Sequence, residues 1–97
     1  MTKIAINLNK PLLDLDGAEI PNANIGKAVA AQLAGSNKGE ALKFYDWAVA
    51  MHKGEDLSVD KSDFKKIYDF IKDSDVFTNI LKAQAIQILD AAEKSAQ

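Results

Sequence analysis

A chain of 97 residues, 47% apolar and 27% charged, carries enough apolar surface for one modest core and lies outside the disordered and collagen-like classes. It has no cysteine, which removes disulfides, zinc–thiolate clusters and thiol nucleophiles. Net charge is −2 and all 12 basic residues are lysines, so the guanidinium fork that reads guanine edges is missing and no nucleic-acid partner is expected.

The first element is a strand. In "KIAINLN", Ile4, Ile6 and Leu8 alternate with Ala5 and Asn7, the period of a half-buried strand. Pro11 cannot donate to a ladder, so the strand is an edge or stops there. Short apolar runs then flank Asp16-Gly17, a pair suited to a two-residue type I′ turn. Together these predict a small two- or three-stranded antiparallel hairpin unit over 3–21.

The remainder reads as helix. Asn24 is placed to cap a first helix over 24–34, with Ile25, Ala28, Val29 and Leu33 inward, Ala30, Ala31 and Ala34 permitting close approach of a neighbour, and Gly35 as its stop. Asn37 with Glu40 resembles a capping box for a second helix over 38–53, closed by Gly54. Ser58 or Asp60 caps a third helix over 60–73 that buries Phe64, Ile67, Tyr68 and Ile71. Ser74 or Asp75 caps a fourth over 76–94, with Phe77, Ile80, Leu81, Gln84, Ile88 and Ala91 inward. The expected fold is mainly α within an α+β class: one domain, 1–97, with an N-terminal hairpin and a four-helix, bundle-like body. The similarity of "KFYDWA" to "KIYDFI" follows from two amphipathic helices with the same facing needs.

The second helix carries two neighbouring apolar stripes. Leu42, Tyr45, Ala48, Val49 and His52 fill one side; Phe44, Trp47 and Met51 form another beside it. So the helix is either central in the bundle or, with its first side toward the core, shows the aromatic face to a partner. The second stripe exceeds the evident needs of a domain this small, and so do Phe70 and Ile86, which fall off the stripes of their helices. Phe44, Trp47, Met51, Phe70 and Ile86 are therefore the candidate protein interface, since aromatic and Met residues concentrate in interface cores. The competing reading is that the hairpin covers the Phe44, Trp47 and Met51 face; both can hold, with homo-oligomerisation relieving a marginal core.

Chemical motifs fail on inspection. In "DLDGAEIPNANI", taking Asp14 as the first position of a calcium loop puts Gly17 too early and Ile25 where a bidentate glutamate belongs, so the stretch reads as a turn. "GKAVA" lacks the glycine and the hydroxyl of a phosphate loop. His52, the only histidine, has no second histidine with which to hold zinc, and no serine lies near it in sequence. Asp56, Asp60, Asp63, Asp73 and Asp75 are mostly explained as residues of helix starts. No catalytic residue, metal or cofactor is expected. Nor is a membrane span or a leader peptide, which makes a soluble, cytoplasmic protein the expectation.

The ordered run of "PLLDLDGAEI", a small-residue helix, "GEALKFYDWAVAMHKGEDLSVDKSDFKKI" and a terminal "QAIQILD" helix resembles a group of small proteins encoded by tailed bacteriophages and prophages. The likeness runs from about residue 4 to residue 90 and rests on structural motifs: the Leu-Asp-Gly turn, the helix around Tyr45, and Leu57-Ser58 with the acids that follow. It implies a phage protein acting inside the bacterial host and assigns no site residue. The functional expectation is a non-enzymatic protein-interaction module, an accessory or chaperone in head or tail morphogenesis. The alternative is a small regulator that binds a host protein through its acidic surface.

Overall fold

The computed structural model describes residues 3–36 and 39–96. The fold is mainly helical α+β, as expected. In chain order it runs β1 (Ile4–Ile6), β2 (Pro11–Leu13), β3 (Glu19–Asn24), α1 (Ile25–Gly35), α2 (Ala41–Lys53), β4 (Leu57–Val59), α3 (Lys61–Lys72) and α4 (Asn79–Ser95). The chain divides into two compact units. One runs from Asn7 to Leu57; the other joins the stretch up to Ile6 with everything from Ser58 onward.

In the unit from Asn7 to Leu57, β2 and β3 form an antiparallel hairpin and α1 packs against α2. The turn differs from the expected two-residue form. Gly17 N–H donates to Asp14 O (3.0 Å) and Asp14 N–H to Ala18 O (2.8 Å). Gly17 sits at φ 88°, whereas Asp16 is not at positive φ. This is the three-residue loop in which a left-handed glycine follows a type I turn. The Asp14 carboxylate, accepting from Asp16 N–H (2.9 Å) and Ala18 N–H (3.0 Å), holds the chain in it. Register then slips. Pro11 faces Asn24 and Leu13 faces Glu19, so Leu12 alone lies opposite Ile20, Pro21, Asn22 and Ala23. Pro21 has no amide to offer the ladder, and Asn22 takes the left-handed conformation at φ 62°, so the strand bulges here.

The helix ends of this unit follow their side chains. Asn24 Oδ1 accepts from Lys27 N–H (3.0 Å), capping α1 as expected. Gly54, at φ 77°, closes α2 by donating to Met51 O (3.2 Å) while Glu55 donates to Ala50 O (2.9 Å), the Schellman pattern. The start of α2 is a correction: Glu40 stands at the N-cap position without a side-chain cap and the helix begins at Ala41. Asn37, the expected partner in a capping box, lies outside the described residues.

β1 pairs with β4, and in the other unit α3 packs on α4 and α4 contacts β1. The expected alternation of the first strand holds, with Ile4 and Ile6 buried and Ala5 exposed. Its partner is a correction. The 3–21 unit splits, because β1 leaves the hairpin to pair with residues 57–59, which the sequence pattern assigned to a connection. Asp60 caps α3 through Asp63 N–H (2.8 Å). Phe64, Ile67 and Ile71 form its inward stripe, and Tyr68 is half-buried with its ring 6.1 Å from that of Phe64. The fourth helix starts later than expected. Ser74 Oγ accepts from Val76 N–H (3.1 Å) in a tight turn, and Thr78 is the residue that caps α4, through Leu81 N–H (3.4 Å). That start fixes an inward stripe of Leu81, Ala85 and Leu89, while Ile80, Gln84 and Ile88 are half-buried and Ala91 is exposed. Asp73 stands at the C-cap of α3, not at a helix start. No helix among the described residues is long and apolar enough to cross a membrane.

Candidate interaction surface

The surface of interest is set by the rotation of α2. At about 100° per residue, Phe44, Trp47, Ala48 and Met51 fall within one narrow arc. These four are the buried residues of the helix. The Phe44 and Trp47 rings lie 5.3 Å apart at 31°. The Phe44 ring also lies over Gly39, where a Cβ would come within 2.5 Å of Cζ. Gly39 is at φ 83°, a conformation that suits glycine and lets the chain run beneath the ring.

The expected core side of α2 consequently faces out. Leu42 is 82% exposed and Tyr45 61%; His52 is exposed and Val49 half-buried. Only Ala48 is buried as expected. The physical reason is area and polarity. An aromatic side chain buries roughly 150–250 Å², and Phe and Met have no polar group to satisfy, whereas Tyr and His each bring one.

The candidate interface is corrected accordingly. Phe44 (9% exposed), Trp47 (6%) and Met51 (3%) are interior side chains of this fold rather than a surface offered to a partner. Phe70 and Ile86 are half-buried in the other unit. The structure brings Phe44 and Trp47 into contact as a core pair.

What the sequence pattern missed lies between α1 and α2. Ala30, Ala31 and Ala34 of α1 and Tyr45, Ala48 and Val49 of α2 line a shallow apolar groove, with Lys27, His52 and Lys53 at one end. A second hollow continues it toward Leu42 along Leu33, Ala34 and Tyr45. Among the described residues neither Lys27 nor Lys53 is in an ion pair. The surface therefore has an alanine floor, one phenol, an exposed leucine, a half-buried valine and a cationic end. Such a composition supplies contact area and charge complementarity to another polypeptide. The signal for it was present in the run Ala30, Ala31, Ala34, whose small side chains leave the hollow.

A polar ladder secures one end of this unit. Asn7 Nδ2 donates to Asp56 Oδ1 and to Gly54 O, and Asn7 Oδ1 accepts from Asn9 N–H (2.8 Å). Asn9 Oδ1 accepts from Asn24 Nδ2 (3.0 Å), and Ile25 N–H donates to Lys10 O (2.9 Å). The segment after β1 is thus tied to the start of α1 and the end of α2. No group of histidine and carboxylate side chains that could hold a metal ion occurs among the described residues. Lys65 on α3 is a titrating side chain whose surroundings act on it. Its ammonium is raised above the ordinary lysine value, first by donating to Asp69 and then by the Asp69 charge, with Asp73 adding a little and desolvation opposing. At 2.6 Å this is an exposed i, i+4 pair on α3, far in kind from a catalytic group.

In comparisons with known proteins, no family model, curated protein or solved structure matches the chain. The likeness to phage-encoded proteins therefore rests on the sequence motifs alone.

Proposed function

We propose that this chain is a non-enzymatic protein-interaction module that takes a polypeptide segment in the α1–α2 groove. The segment would set an apolar side chain on the alanine floor and carboxylates against Lys27 and Lys53. One observation carries this reading: Leu42 and Tyr45, 82% and 61% exposed, border an apolar hollow on a helix whose Phe44 and Trp47 rings are already buried. Exposed apolar side chains around a hollow with a charged edge favour binding over solvation once a complementary surface is supplied. The resemblance to tailed-phage proteins supports an accessory or chaperone role in head or tail assembly, exercised in the cytoplasm of the bacterial host.

The test compares capture of partner polypeptides by the native chain and by Tyr45→Ser and Ala31→Glu variants whose far-ultraviolet circular dichroism matches native. Both variants are expected to lose the captured species, while an Ile86→Ala control keeps it. Capture that survives both groove variants would contradict the proposal.

A further inference from the structure

The hairpin tip is the counterpart of the groove in both shape and charge. Leu15 is the most exposed large apolar side chain described, at 94%, and it stands on a loop that is not free to collapse. The Asp14 carboxylate bonds to Asp16 N–H and Ala18 N–H, backbone bonds close the loop on both sides, and Gly17 completes it. A rigidly presented side chain loses little entropy when it docks. Asp14 and Asp16 flank it, so the tip is an apolar knob between two carboxylates, whereas the groove is an apolar floor beside Lys27 and Lys53.

Resting on the groove as the binding surface, we propose that its occupant is a second copy of this chain. The β2–β3 tip of each copy seats Leu15 on the alanine floor of the other, with Asp14 and Asp16 against Lys27 and Lys53. Connectivity makes the exchange reciprocal. Strand β3 runs directly into α1, so the cationic end of the groove lies at the base of the hairpin and Leu15 at its tip. A twofold axis across the middle of two antiparallel hairpins brings each tip to the base of its neighbour, which closes the assembly at a dimer. Closure also doubles a contact that is small when made once.

The experiment is solution mass by light scattering from micromolar to millimolar chain, at low and high salt. The native chain is expected to dimerise, more weakly at high salt. Leu15→Ser, a change at an exposed loop tip, is expected to raise the dissociation constant at least about tenfold, since each dimer loses two buried leucines. Lys53→Glu should weaken the dimer, and Asp16→Lys in the same chain should restore it, a rescue that no general loss of structure reproduces. A native chain that stays monomeric at every concentration overturns the proposal, as does a dimer indifferent to Leu15→Ser. If the chain is monomeric but Ala31→Glu still abolishes capture of a different polypeptide, the second copy is excluded and the groove stands. If Ala31→Glu changes neither mass nor capture, both readings fall.

Discussion

Phe44 and Trp47, three residues apart on α2, hold their rings 5.3 Å from each other inside the fold, and that pairing turns Leu42 and Tyr45 to the surface. One helix therefore performs two tasks: its aromatic arc anchors the core, and its other side borders the groove.

Truncating the anchor should be expensive. Trp47→Ala removes a side chain that is 6% exposed and leaves Phe44 without its ring neighbour, so a loss of about 3–5 kcal/mol is expected. Chemical denaturation measures it. The native tryptophan emission should be blue-shifted at every protein concentration, because the indole is interior in the single chain.

Changes on the outer side should leave stability nearly intact. Tyr45→Ser and Ala31→Glu alter exposed positions, and each is expected to shift unfolding free energy by no more than about 0.5–1 kcal/mol while removing binding. Denaturation midpoints set beside capture yields separate the two effects.

Gly54→Ala should destabilise the end of α2. The residue is at φ 77°, and an added Cβ would come 2.7 Å from Asn9 Nδ2. Left-handed backbone costs a non-glycine residue roughly 1–2 kcal/mol, and displacing Asn9 disturbs the ladder to Asn24 as well. Thermal unfolding should show the loss, with amide exchange accelerating first around Met51 and Asn9.

Asn24→Ala removes both the cap on Lys27 N–H and the donor to Asn9 Oδ1. A loss of about 1–2 kcal/mol is expected from the cap. Asn24→Ser, which keeps a capping oxygen, should recover most of it. Failure of serine to recover it would assign the loss to the Asn9 bond.

The Lys65–Asp69 pair makes a prediction for alkaline pH. The Lys65 pKa is raised in the folded chain, chiefly by its hydrogen bond to Asp69. Its contribution is thus fully present below the pKa of an unfolded lysine and is lost as pH rises through the higher folded value. Stability should decline slightly more steeply above about pH 10 in the native chain than in Asp69→Asn. Titration of the Lys65 side chain by nuclear magnetic resonance should show the raised value falling back in that variant.

Local signals in the sequence were reliable where one residue decides the outcome. Asn24 and Asp60 cap their helices and Gly54 ends α2 because each satisfies backbone groups within a turn of itself. Thr78 was missed since Ser74 and Asp75 offer equally good capping chemistry, and the choice falls to where Leu81, Ala85 and Leu89 must face. Pairing of β1 with β4 is invisible locally, because its hydrogen bonds join residues some fifty positions apart. The inversion of α2 has a similar origin. Its two apolar stripes adjoin, and only the partner surface decides which turns inward. The asparagine ladder depends on the fold bringing Asn7, Asn9 and Asn24 together, so nothing in their spacing announces it.

The proposed binding mode uses the Leu42 and Tyr45 side of α2 and keeps Phe44, Trp47 and Met51 inside. Hydroxyl-radical footprinting, normalised for the intrinsic reactivity of each residue type, tests it on the free chain and on the chain in complex. Fast labelling of Leu42 and Tyr45 is expected in the free chain, with protection of both on association and slow labelling of Phe44, Trp47 and Met51 throughout. Rapid labelling of Trp47 and Met51 in the free chain, with protection appearing there on association, would contradict the proposed mode.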